Sequence, residues 1–165
     1  MSTLRGSVAA AFALAALGAC SRSSQTPEDH SPTRAPAAGY GPATQPGAGK
    51  IELDITANAG RAVYGDPAAG KQVFNQCISC HSREPGVNNV GPSLHGVIGR
   101  PAGSVPGFNY SPANKGSGLV WTEQELYTYL ENPRKTVPGT YMTFTGVKDP
   151  RKRADLIAFL QVSTK

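Results

Sequence analysis

The chain has 165 residues, with 16 Lys and Arg against 11 Asp and Glu, so it carries a formal net charge of +5. This length allows one ordinary domain and excludes a large multidomain protein, while 19 Gly and 14 Pro imply that even this much is not all globular. The basic balance has no nucleic-acid motif beside it, so a nucleic-acid partner is not expected.

In chain order, a short polar stretch carrying Arg5 precedes an apolar run from Val8 to Leu17 and small residues before Cys20. That pattern reads as a secretory signal peptide over residues 1–19. As a membrane span it is too short, since about twelve apolar residues rising 1.5 Å each cover only ~18 Å of a ~30 Å hydrocarbon core. The segment Leu17-Gly18-Ala19-Cys20 resembles the lipobox of bacterial lipoproteins, which implies that Cys20 is acylated and anchors the mature chain to a membrane. Plain cleavage beside a chance cysteine and an uncleaved anchor are the alternatives. Residues 20–60 hold few large apolar side chains and much Pro, Gly, Ala and Ser, so they bury too little to offset the entropy of ordering and are expected to form a flexible tether. Within it, Lys50 to Thr56 alternates apolar and polar like a short strand, with no evident partner.

Residues 61–165 form the expected domain, and its signals are helical. Asp66-Pro67 supplies an N-cap with proline at the first helical position, opening a helix through Gly70 and Phe74. Ser111-Pro112 marks a short helix within a Gly- and Pro-rich region from Ser82 to Val120 that otherwise reads as loop. Thr122 and Glu125 form a capping box before Leu126, Tyr127, Tyr129 and Leu130, and Asn132-Pro133 stops that helix. Asp149-Pro150 starts a last helix with Leu156, Ile157, Phe159 and Leu160 apolar. No internal repeat is present.

The chemistry is concentrated in Cys77-Ile78-Ser79-Cys80-His81, the C-x-x-C-H pattern of c-type haem attachment. Two thiols three positions apart can add to the two vinyl groups of one porphyrin, and the next residue, His81, is then held against the iron. A redox dithiol would need a βαβ context and zinc a second Cys or His pair, and neither is present. With Met1 removed by processing, Met142 is the one remaining methionine and follows the stiff Pro138-Gly139 loop. It could fill a core gap, but a second axial ligand must come from somewhere and the other histidines are His30, in the tether, and His95. His/Met ligation occupies both axial positions, raises the reduction potential and points to electron transfer rather than catalysis.

From Asp66 to Gln161 the chain resembles the class I cytochromes c of mitochondria and the bacterial periplasm. The match includes Gly70, Phe74, Gly91 to Gly96, Gly99-Arg100, Tyr110, Asn114, Trp121, Tyr129 to Pro133, Pro138 to Thr140, Met142, Phe144 and Asp155 to Leu160. The resemblance implies an all-α class I cytochrome c fold around one covalent haem c with His81 and Met142 as iron ligands. It also implies that the Pro92 carbonyl orients His81, that Arg100, Tyr110 and Trp121 hold the haem propionates with Asn114 in the same site, and that Tyr129 hydrogen-bonds the ligand sulfur. Gly70, Phe74 and Phe159 correspond to packing between the first and last helices, and His95 is assigned to structure.

Tyr141 and Gln76 stand where mitochondrial relatives carry docking lysines, and the loop from His81 to Pro92 also lacks the family's lysines. Arg134, Lys135 and Lys148 are retained, with Arg151, Lys152 and Arg153 nearby. Residues 61–165 hold 12 Lys and Arg against 7 Asp and Glu, so this region carries the whole net charge of +5 and suits acidic redox partners. The expected protein is a monomeric single-electron carrier on the periplasmic side of a bacterial membrane, working between respiratory or photosynthetic complexes. A haem peroxidase or gas-binding protein with a dissociable Met142, and a fixed haem subunit of an oxidase or dehydrogenase, are the other functions the sequence allows.

Overall fold

The structure, a computed structural model, describes residues 49–56 and 61–165. The signal segment, Cys20 and most of the tether lie outside the described residues. In chain order the elements are β1 (Ile51–Leu53), β2 (Val63–Gly65), α1 (Pro67–Phe74), α2 (Pro112–Lys115), α3 (Glu123–Glu131), α4 (Pro133–Thr136) and α5 (Pro150–Ser163).

Each helix starts where local side-chain chemistry satisfies free backbone N–H groups. The Asp66 carboxylate accepts from the N–H groups of Ala68 and Ala69 at 2.8 and 3.2 Å, and Asp149 accepts from Arg151 and Lys152 at 2.8 and 3.2 Å. Ser111 caps α2 through the Asn114 N–H, and Thr122 caps α3 through the Glu125 N–H, both at 3.1 Å. Asn132 does more than stop α3. Its side chain accepts from the Lys135 N–H and opens α4, a further turn that the sequence reading did not anticipate.

Helix α5 is buried from Arg153 through Leu160 on every side. Helix α1 crosses it at Gly70, where a Cβ would lie 2.8 Å from Phe159 Cβ and strike the Asp155 carbonyl. Strand β2 meets it at Gly65, where a Cβ would come within 2.6 Å of Ala158 Cβ. Phe74 and Phe159 pack with ring centroids 5.2 Å apart, so the expected contact between first and last helices is present.

The structure adds two features to the expected helical fold. The fold is mostly helical but includes a two-stranded antiparallel sheet in the register Ile51 with Gly65, Glu52 with Tyr64 and Leu53 with Val63. The chain is also ordered well before residue 61, since Leu53 and Ile55 are 3% and 4% exposed in the core. The Asp54 N–H donates to the Glu123 carboxylate, and Thr56 donates to Gln124 Oε1 from both its N–H and its hydroxyl, at 2.8 and 3.0 Å. Residues 50–56 therefore form a strap over the start of α3 rather than part of a free tether. The reason is the alternation itself, which puts Ile51, Leu53 and Ile55 on one face. Val63-Tyr64-Gly65 is too short and Gly-adjacent to announce itself as the partner strand.

Asp155 supplies a pH-dependent element of stability. It is 9% exposed and accepts from the Asp66 N–H at 2.8 Å. Burial raises its carboxyl above the usual range, with the Asp66 N–H opposing and the Asp66 charge reinforcing that shift. The folded chain thus binds this proton more tightly than the unfolded chain, so its contribution is fullest below about pH 4 and is lost as pH rises through the shifted value. Asp155→Asn keeps an acceptor for Asp66 and removes the charge. At pH 7 it is expected to melt at or above the wild-type temperature, with the two proteins converging at low pH; a lower Tm at pH 7 would show that the charge stabilises.

Candidate functional site

A cavity of about 370 Å³ opens between the loop regions and the helices. Its apolar walls include Phe74, Leu94, Val97, Leu126, Leu130, Leu156 and Leu160, and Cys77, Cys80, His81 and Met142 all line it. Helix α1 ends at Phe74 and continues as tight turns, with the N–H groups of both Cys80 and His81 on the Cys77 carbonyl at 3.0 and 2.9 Å. These turns place the two thiols and the imidazole on the cavity wall. Burial, followed by the proximity of Cys80, pushes the Cys77 thiol up to about 11.

His81 Nδ1 lies 2.8 Å from the Pro92 carbonyl oxygen. A hydrogen bond there requires the proton on Nδ1 and leaves the Nε2 lone pair free to bind a metal. Burial lowers the imidazole's pKa, the Pro92 bond opposes this, and the Arg100 charge adds to the lowering; the neutral, ligating form is the favoured one. Gly91 is required beside it, because a Cβ there would collide with the His81 ring.

Met142 enters from the loop after α4. The Thr140 N–H closes a turn onto the Val137 carbonyl at 3.0 Å, and Gly139 takes a positive φ of 90° within that turn. The Tyr129 hydroxyl donates to Met142 Sδ at 3.2 Å, as the resemblance implied. Tyr129 also packs on Trp121 with centroids 4.7 Å apart, and both are buried on the cavity wall.

Arg100, Tyr110 and Asn114 line the same cavity. Arg100 is committed more heavily to the protein than expected: its Nη1 and Nη2 donate to the carbonyls of His95 and Ser93 at 2.7 and 2.8 Å. Its Nε is buried without a partner, as is Asn114 Oδ1. Unpaired buried polar atoms are costly, and a carboxylate reaching into the cavity would satisfy the Arg100 donor. Apolar walls, two thiols, a neutral imidazole, a thioether and a spare guanidinium donor together fit an apolar macrocycle that bears acidic side arms and a metal.

No model of a known protein family matches the chain. Individual relatives do. The chain is 54% identical over 103 residues to cytochrome c2 of Rhodopila globiformis, a match that covers 62% of this chain and 97% of that protein. It belongs to the class I c-type cytochromes. Cytochrome c2 of Rhodomicrobium vannielii is 57% identical over 97 residues, covering 58% of this chain and 78% of the relative. Among solved structures, cytochrome cH from Methylobacterium extorquens aligns with a TM-score of 0.56 at 47% identity, covering 59% of this chain and 98% of that one. This cytochrome is accordingly a single-haem electron carrier whose cofactor is one covalent haem c.

The charged residues expected outside the cavity divide. Arg134 and Lys135 are exposed on α4. Lys148 is exposed too, with its Nζ donating to the Glu131 carbonyl at 2.6 Å. Arg153 is not a surface charge but is 4% exposed. Its Nη1 donates to the carbonyls of Val147 and Lys148, its Nη2 pairs with Glu131 at 3.2 Å, and its guanidinium lies 4.4 Å over the Tyr127 ring. Sequence reading missed it because three consecutive basic residues, Arg151 to Arg153, look alike as a solvated helix start.

Proposed function

We propose that this cytochrome carries single electrons between membrane-bound respiratory or photosynthetic complexes on the periplasmic side of a bacterial membrane. The observation that carries the reading is that one cavity gathers Cys77, Cys80, His81 and Met142. When bound, haem c supplies a one-electron iron couple. Cys77 and Cys80 would hold it covalently through thioethers. His81 and Met142 would hold its iron. With the iron held from both sides no site would remain open for a substrate, which supports a carrier rather than an enzyme.

Arg100 Nε, Tyr110, Asn114 and Trp121 are the polar surroundings of the propionates. Guanidinium, phenol and indole groups supply donors that buried carboxylates require. Cys20 is the lipid anchor, supported by its lipobox-like setting; among the described residues no helix is long and apolar enough to cross a membrane. A tether keeps a carrier concentrated near partners in the same membrane. Mass spectrometry of the N-terminal peptide tests the anchor, and an unmodified peptide counts against it.

Arg134, Lys135 and Lys148 steer encounters with acidic partners. Their field should act mainly on association rate, and salt should slow it as the Debye length falls from about 30 Å at 0.01 M to about 10 Å at 0.1 M. In the fragment Gly49–Lys165, which retains the strap, Arg134→Glu with Lys135→Glu is expected to lower the low-salt electron-transfer rate and flatten its salt dependence at an unchanged potential. A rate independent of salt, or no loss on charge reversal, would place recognition elsewhere.

A further inference from the structure

The loop from Ser82 to His95 contains a hydrogen-bond relay that ends on the axial histidine. The Pro92 carbonyl facing His81 Nδ1 belongs to the same planar peptide unit as the Ser93 N–H. That N–H donates to Asn88 Oδ1 at 2.9 Å. The Asn88 amide has one workable orientation, because its Nδ2 donates to the Pro106 carbonyl at 3.1 Å. Turning the amide over would set its NH₂ against the Ser93 N–H and oxygen against oxygen. Ser93 is held on its other side as well: it is 2% exposed, its hydroxyl donates to the Glu84 carbonyl at 2.6 Å, and its own carbonyl accepts from Arg100 Nη2 at 2.8 Å. The Pro92–Ser93 peptide is therefore fixed in orientation and bonded at both of its polar ends.

We propose that Asn88 is a positioning residue for the axial histidine, acting through the Pro92–Ser93 peptide to strengthen the acceptor that His81 faces. The inference rests on the reading of His81 as an iron ligand. An acceptor at the N–H end of a peptide favours the resonance form with negative charge on its carbonyl oxygen, and hydrogen bonds in series reinforce one another away from water. A better acceptor at Pro92 draws the Nδ1 proton harder and makes Nε2 the stronger donor to a metal. A stronger donor favours the more highly charged metal, so Asn88 holds the reduction potential down, while its bond to Pro106 ties the histidine's support to the loop that leads to Tyr110.

The test compares Asn88→Ala and Asn88→Asp in the holoprotein at pH 7. Two readouts apply: the midpoint potential by optical titration, and the exchange rate of the His81 Nδ1 proton by NMR. Asn88→Ala removes the acceptor and should raise the potential and speed exchange about tenfold, the scale of one lost hydrogen bond. Asn88→Asp keeps a stronger acceptor and loses only the donor to Pro106, so it should lower the potential and slow exchange below the wild-type rate. If Asn88 were merely a clip to Pro106, both variants would speed exchange, and that result overturns the proposal; so does an alanine variant with wild-type potential and exchange. Should Asn88→Ala not fold, the direction of exchange in Asn88→Asp decides alone. Failure of the ligand reading is separate, since it would show as wild-type protein lacking the strongly shifted resonances of an iron-bound imidazole.

Discussion

Replacing Cys77 and Cys80 together by alanine is expected to leave the haem extractable by acid acetone and, once it is lost, the chain without fixed tertiary structure. The first outcome follows from the chemistry, because no other cysteine lies in the domain to form a thioether. The second follows from size. A space of about 370 Å³ left without its occupant exposes the apolar walls formed by Phe74, Leu94, Leu126, Leu130 and Leu156 to water, and an ordinary domain has only ~5–15 kcal/mol of stability to lose. The α1 and α5 contact at Gly70 and Phe159 lies outside the cavity lining, so helical signal should persist while near-ultraviolet circular dichroism collapses. Either single replacement keeps one thioether and should retain both haem and tertiary structure. Covalent haem surviving in the double variant would remove the basis of the site assignment.

Much of this fold was legible because helix starts are local events. Asp66-Pro67, Ser111-Pro112, Thr122 and Asp149-Pro150 each satisfy N–H groups two or three residues away, so the sequence alone specifies them. The strap was half legible. Alternation in Lys50 to Thr56 marks a strand, but its partner β2 and its contacts with Glu123 and Gln124 are set by tertiary packing that no short window contains. Arg153 failed for a related reason: its burial depends on Tyr127, Glu131 and Val147, contributed from outside its own turn.

In the site, the thiols and His81 follow from spacing, and Met142 from scarcity and its loop. The partners Pro92 and Tyr129 were reached through the family resemblance rather than from the residues. The Asn88 relay has no sequence signal, because the loop must double back before Asn88 can meet Ser93. That reversal is set by the Gly91 N–H on the Cys80 carbonyl at 2.7 Å and the Leu94 N–H on the Ser82 carbonyl at 2.8 Å.

Met142→Ala should abolish the weak near-infrared sulfur-to-iron band, lower the reduction potential and let carbon monoxide bind the reduced protein readily. The side chain is half-buried and its sulfur accepts from Tyr129, so its removal leaves a hydroxyl without its partner in a mostly apolar cavity. The fold cost is nonetheless modest, about 2 kcal/mol at the low end of Met-to-Ala losses, because the loop is held independently by Val137, 2% exposed, and by the turn at Gly139. Loss of ligation can therefore be observed in a folded protein. Adding Tyr129→Phe separates the two contributions: the double variant should recover part of the stability lost with the unpaired hydroxyl while recovering none of the band. The wild type supplies the decisive comparison. If its reduced form binds carbon monoxide as fast as Met142→Ala does, Met142 does not close the iron site, and a gas-binding or peroxidase role displaces that of a carrier. Slow or absent binding in the wild type, against rapid binding in the variant, means that the Pro138–Met142 loop keeps the sixth position for electron transfer.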